Sequence, residues 1–273
     1  MTIPVFQLNS GHGIPALGLG TFQMAPGLTA DLVDQALRMG YRHIDTASLY
    51  GNEAEVGEGV RRSGVPREEI FVTTKLWNDK HRHDAAVQAF DESLGLLGLD
   101  YVDLYLIHWP APGNGLMVEA WEALIQLNQS GRARSIGVSN FRDVDLAAII
   151  DATGVVPAVN QIELHPLYQQ RDLRAVNTSL GIVTEAWGPL GRGADLGNDT
   201  LRSVAREAGK SAAQVVLRWM IQLGIVAFPK TVRPERLAEN LAIDDFELLP
   251  EQMERLNSIP DSPMMGPDPA TLN

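Results

Sequence analysis

Apolar and polar positions follow two rhythms along the chain. Short runs dense in apolar and β-branched residues predict strands at 16–22 (ALGLGTF), 41–47 (YRHIDTA), 69–76 (EIFVTTKL) and 101–110 (YVDLYLIHWP). Four more follow at 133–141, 157–164, 181–190 and 224–232. Between them, apolar residues recur at helical spacing in DLVDQALRMG, DAAVQAFDESLGLLGL, MVEAWEALIQLNQSG and SAAQVVLRWMIQLG. Gly40, Gly131 and Gly224 stand where such helices should end. Strand and helix alternating at intervals of about 30 residues predict repeated βαβ units and a parallel sheet. Eight such units in roughly 250 residues is the size of a (β/α)8 TIM barrel. With no Pro- or Ser-rich linker, residues 1–273 read as a single α/β barrel domain, a doubly wound sheet being the alternative. The opening VFQLNSGHGIPALG predicts a β-hairpin ahead of the barrel that plugs its bottom. The Pro-rich DSPMMGPDPATLN predicts a C-terminal loop or tail over the surface.

Composition narrows the classes. With 45% hydrophobic and 21% charged residues, the chain is ordinary for a globular protein. A net charge of −12 argues against nucleic acid or an anionic membrane as partner. No cysteine is present, so disulfides and thiolate metal sites are excluded. MTIPVFQLNSGHG has neither a basic nor a strongly apolar leader, and no apolar run suits a bilayer, so a cytoplasmic protein is expected. A monomer is expected as well.

In a barrel of this kind, chemistry gathers at the C-terminal ends of the strands. Asp45 and Tyr50 stand at the end of the second strand, Lys75 at the third and His108 at the fourth. Alone, each has an ordinary structural reading as a turn residue, a solvated lysine or a packed imidazole. Four titratable groups at matching ends of consecutive strands point instead to one site. A phenol beside an ammonium suits proton transfer, because the ammonium stabilises the phenolate left behind. Asp45 suits the task of holding Lys75 charged. His81-Arg82-His83-Asp84 and the pair Glu163/His165 lack the ligand spacing of a metal site, so no metal is expected.

HIDTASLYGNEAEVG, TTKLWN, DLYLIHWP, GVSNF, QIELHP, GPLG and FPKTVRPERLAENL resemble, in order and spacing, the signature blocks of the aldo-keto reductases, nearest to the bacterial 2,5-diketo-D-gluconate reductase type. The resemblance runs from about Leu8 to Leu256. It implies a (β/α)8 barrel that binds NADP(H) without a Rossmann domain, and no G-x-G-x-x-G occurs in the chain. It implies NADPH-dependent reduction of small aldehydes, ketones, dicarbonyls or keto-sugars, with Asp45, Tyr50, Lys75 and His108 as the catalytic set and Tyr50 as proton donor.

The same resemblance implies the cofactor contacts. Ser139, Asn140 and Gln161 match positions that hold the nicotinamide carboxamide, bordered by Gly20, Thr21 and Phe22. Trp187 stands where most relatives stack a tyrosine on the ring. Gly188, Pro189, Leu190 and Gly191 match the pyrophosphate loop. Lys230, Thr231, Val232, Arg233 and Arg236 match the adenosine 2′-phosphate site, and Glu239 and Asn240 the adenine side. Phe22, Trp77, His108 and Trp109 are implied to wall the substrate pocket, whose short loop PAPGNGL suits small carbonyls. Two rival readings remain: a non-catalytic NADP(H)-binding protein on this fold, and a Schiff-base enzyme using Lys75.

Overall fold

The computed structural model describes residues 3–273. Ten strands and ten α-helices are found among the described residues. β1 (Val5–Gln7) and β2 (Gly13–Pro15) form an antiparallel hairpin with Phe6 opposite Ile14. The other strands are β3 (Leu19–Gly20), β4 (His43–Asp45), β5 (Phe71–Leu76), β6 (Val102–Ile107), β7 (Ala133–Ser139), β8 (Val159–Glu163), β9 (Val183–Trp187) and β10 (Val226–Ala227). They form one parallel sheet in sequence order, β3 to β10. All eight positions expected from the sequence carry a strand, each shorter than its apolar run. The sheet curls back on itself. Leu17 bridges Ala227 in parallel, Gly18 N–H donates to Ala227 O at 2.9 Å, and Ala227 N–H donates to Ala16 O at 2.9 Å.

Helices α1 (Pro26–Met39), α2 (Glu53–Ser63), α3 (His83–Leu97), α4 (Met117–Gln129) and α5 (Asp143–Thr153) follow successive strands. So do α6 (Arg171–Ser179), α7 (Asp199–Ala208) and α9 (Pro234–Leu241); α8 (Ala212–Gln222) comes after α7 and ahead of β10, and α10 (Pro250–Asn257) leads into the tail. Gly40, Gly131 and Gly224 all hold positive φ, so the helix ends expected there are present.

Buried on both faces, the strands divide their side chains with period two. On β6, Tyr105 and Ile107 join the layer shared with the helices, while Leu104 and Leu106 face the interior. Leu8 and Ile14 of the hairpin pack on Phe71, Leu104, Val159 and Val226, which begin or lie early in their strands. The interior at the N-terminal end of the strands is thus apolar and filled by the hairpin. The same period puts His43, Asp45, Thr73, Lys75, Gln161 and Glu185 inward, further along. No described helix is long and apolar enough to cross a membrane.

Candidate active site

The ends of β4 and β5 converge on one ammonium. Lys75, the fifth residue of β5, is fully buried, and Asp45 at the end of β4 is 1% exposed. Lys75 Nζ donates to Asp45 Oδ1 at 2.7 Å, to Asp45 Oδ2 at 2.9 Å and to the carbonyl of Thr46 at 2.8 Å. The Tyr50 hydroxyl lies 3.4 Å from the same nitrogen. A one-turn helix, Ser48–Tyr50, carries the phenol back over the sheet, and the Ser48 hydroxyl anchors that turn by donating to Lys75 O at 2.9 Å. Asn52 holds the turn from behind, accepting from Thr46 Oγ1 at 2.9 Å and donating to Thr21 O at 3.0 Å.

The electrostatics follow from burial and pairing. Burial works against the charge on Lys75, but Asp45 and Tyr50 outweigh it and hold the proton above the usual lysine range. Burial raises Tyr50 above the usual phenol range; Lys75 draws it down without cancelling the rise, and Asp45 adds to it. His108 is pushed well below the usual imidazole range, first by burial and then by Lys75. Its ring meets the edges of Tyr50, with centroids 5.8 Å apart, and Trp77, at 5.1 Å. Phe22, 45% exposed, leans on Tyr50 at 5.0 Å. Trp109, next in the chain after His108, is buried.

A second group of expected residues forms a polar shelf at the ends of β7, β8 and β9. Ser139 Oγ donates to Gln161 O at 2.9 Å and accepts from Asn140 Nδ2 at 3.0 Å. Asn140, at φ 62°, also donates to His108 O at 3.0 Å and accepts from Trp187 Nε1 at 2.7 Å. Gln161 Nε2 donates to Asp45 Oδ2 at 2.9 Å and Glu185 Oε2 at 2.8 Å. Hydrogen bonds therefore join the shelf to Lys75 through Asp45. Thr21 N–H donates to Asp45 O at 3.0 Å, and Gly20 is pressed so closely on Phe228 O that a β-carbon would stand 2.8 Å from it.

The remaining expected residues lie apart from this centre. Gly188–Gly191 continue from β9 as a turn closed by Gly191 N–H on Gly188 O at 2.9 Å, with Pro189 buried and Leu190 against the core. Lys230, Val232, Arg233 and Arg236 are exposed around the N-terminus of α9. Neither Lys230, Arg233 nor Arg236 has a carboxylate partner among the described residues. Thr231 is buried and its hydroxyl accepts from Arg233 N–H at 3.1 Å. Glu239 is partly exposed, whereas Asn240 is only 4% exposed.

Sequence reading missed an ionic knot. His165 Nδ1 meets Asp195 Oδ2 at 2.7 Å and its Nε2 meets Glu163 Oε1 at 3.3 Å. Burial lowers the His165 pKa, but Asp195 and Glu163 more than offset it, raising it to about 9. Glu163 also accepts from the backbone of the tail, Met265 N–H at 2.6 Å and Gly266 N–H at 2.8 Å. Asp195 also accepts from Leu167 N–H at 3.0 Å, and its carboxylate sits against the α-carbon of Gly191, where a side chain would collide. The expected surface tail is thus fastened beside Trp187 and to the loop after β9. QIELHP contained the two neighbouring members; the third lies 30 residues on.

Known proteins resemble this chain over nearly its whole length. Residues 11–261 match the model of the Aldo/keto reductase family. An aldo-keto reductase from Mycobacterium sp. (strain KMS) is 49% identical over 273 residues, covering 100% of this chain and 99% of its own. A morphine 6-dehydrogenase from Pseudomonas putida is 48% identical over 283 residues, covering 99% and 96%. The crystal structure of a Gox0644 mutant in complex with NADPH superposes with a TM-score of 0.96 at 45% identity, covering 100% of both chains. The chain belongs to the aldo/keto reductase family.

Proposed function

We propose that this chain is a single (β/α)8 barrel domain, residues 1–273, that reduces small aldehydes, ketones, dicarbonyls or keto-sugars to alcohols with NADPH. The observation that carries the reading is the Tyr50 hydroxyl 3.4 Å from an ammonium bound by both oxygens of Asp45. A cytoplasmic setting, consistent with the cysteine-free composition, and a monomeric working unit belong to the same proposal.

The residues present fit NADP(H). Gln161 Oε1 and the second lone pair of Asn140 Oδ1 are acceptors with no protein donor, matched to the N–H groups of a carboxamide. Trp187 offers a partly exposed indole fixed by Asn140, Gly188–Gly191 a loop of backbone amides, and Gly20, Thr21 and Phe22 the opposite border. Lys230, Arg233 and Arg236, with Thr231 and Val232, supply an exposed basic cluster in an acidic protein, suited to a 2′-phosphate. Glu239 and Asn240, further along α9, would take the adenine side. When bound, NADPH supplies the hydride.

Tyr50 gives its proton to the developing alkoxide. Its raised pKa keeps the donor protonated across the neutral range, and Lys75 stabilises the phenolate as the proton leaves. Asp45 keeps Lys75 charged and aimed. His108, neutral through burial, hydrogen-bonds the carbonyl oxygen; its Nδ1 is buried without a partner, which favours the tautomer carrying hydrogen on Nε2. Phe22, Trp77, His108 and Trp109 wall the substrate. A Schiff-base role for Lys75 is disfavoured, because a buried ammonium donating three hydrogen bonds has no lone pair to offer.

NADPH oxidation followed by absorbance against a panel of dicarbonyls, aldehydes and keto-sugars tests the reading. Turnover of small carbonyls is expected. A protein that binds NADPH and oxidises it with none of them would be a non-catalytic binder and would overturn the proposal.

A further inference from the structure

One ionisable side chain inside the curled sheet has no part in the chemistry above. Glu185 follows Thr184, whose hydroxyl accepts from Asn177 of α6 at 3.0 Å and therefore faces the helices. The strand period turns Glu185 inward, where it is fully buried. Its Oε2 accepts from Gln161 Nε2 at 2.8 Å, the nitrogen that also donates to Asp45 Oδ2 at 2.9 Å. Its Oε1 has no hydrogen-bond partner. His43 Nε2 of β4 stands 3.9 Å from Oε1, too far for a hydrogen bond, and instead meets Thr73 Oγ1 at 3.1 Å.

Two carboxyl groups thus share one amide nitrogen in a site sealed from water. Asp45 has an ammonium against both its oxygens; Glu185 has none. Like charges at such a separation do not both ionise cheaply, so the proton belongs on Glu185. His43 adds no positive charge, because burial lowers its pKa to about 3. The other groups facing Glu185 are Asp45 on β4, Lys75 on β5 and Gln161 on β8, while its register partner on β10 is apolar Val226. Asp45, as the ionised acceptor, also decides the direction of the amide: the atom bonded to it must be the nitrogen.

Resting on the reductase reading, we propose that Glu185 is a positioning residue that works protonated. It accepts one Gln161 amide hydrogen while Asp45 accepts the other, which leaves Gln161 Oε1 as the free acceptor and keeps a second negative charge away from the Asp45–Lys75–Tyr50 chain. Burial, with Asp45 adding to it, raises the Glu185 pKa to about 8, against smaller opposing effects of Gln161 and Lys75. Above that pH the extra anion disfavours the phenolate that Tyr50 must become, and reduction slows.

Two measurements test this. Difference infrared titration of the cofactor-free protein should show a protonated carboxyl band that persists at pH 7, is lost near pH 8, and is missing in Glu185→Gln. The pH profile of NADPH-dependent carbonyl reduction should fall near pH 8 in the wild type, and its alkaline limb should move up by at least about one unit in Glu185→Gln, which keeps an acceptor for Gln161 but cannot titrate. Glu185→Met, lacking that acceptor, should weaken NADPH binding by up to about tenfold. An infrared band already lost below pH 7, or an alkaline limb unmoved in Glu185→Gln, would overturn the role of Glu185 while leaving Tyr50 as donor. A wild type that reduces no carbonyl would sink the reductase reading instead, and the infrared titration would still decide whether Glu185 holds its proton.

Discussion

Lys75 Nζ lies 3.4 Å from the Tyr50 hydroxyl and 5.0 Å from the centre of its ring, so the ammonium faces the phenol oxygen while Asp45 holds it from the other side. That geometry makes Lys75 responsible for two separable properties. Lys75→Met should cut carbonyl reduction by about 10²–10⁴-fold, the usual worth of assisted proton transfer. It should also destabilise the fold by about 3–5 kcal/mol, because Asp45 is left as an uncompensated buried carboxylate. Adding Asp45→Asn should recover most of the stability and none of the rate. Thermal melts and turnover of the single and double variants check both halves.

The basic cluster before α9 predicts cofactor choice. Loss of one charged contact costs about 1.5–3 kcal/mol, or roughly ten- to over a hundredfold in affinity. Arg236→Ala should weaken NADPH binding by that factor and leave NADH nearly unaffected. Fluorescence titration with both cofactors is the measurement; equal weakening of the two would remove the 2′-phosphate from this site.

The His165 knot makes stability depend on pH. Its folded pKa, about 9, lies above the usual value of about 6.5. Its contribution is therefore fully present below about pH 6.5 and lost as pH rises through about 9. The loss amounts to up to about 3 kcal/mol between pH 6 and 10. Urea unfolding of the wild type should show it, and His165→Gln should flatten that part of the curve. Because Glu163 then holds the tail less firmly, protease cleavage near Met265 should quicken in the variant.

Much of this molecule was legible in order along the chain. Strands buried on both faces write themselves as continuous apolar runs, and the groups that break those runs, Asp45, Lys75 and His108, do so at the ends facing one site. Strand boundaries were less legible: β3 is only Leu19–Gly20 because Ala16 to Gly18 bond to Ala227 at the closure, a partner far away in sequence. Helix α6 is only weakly marked, since Leu173 and Val176 pack on the core half-buried and its one fully buried residue is the polar Asn177. Long-range polar pairing was hidden altogether. Nothing local ties Asp195 to His165, Glu185 to Gln161, or Trp187 to Asn140; each pair meets only because neighbouring strands and their following loops are brought side by side.

The most direct test is the turnover of purified Tyr50→Phe beside its NADPH affinity. The substitution removes one oxygen and spares the ring that Phe22 and His108 pack against. Carbonyl reduction should fall by about 10²–10⁴-fold while the NADPH dissociation constant stays within about threefold of the wild type. Near wild-type turnover in the Phe variant would contradict Tyr50 as the proton donor, and with it the chemistry assigned to Lys75 and Asp45.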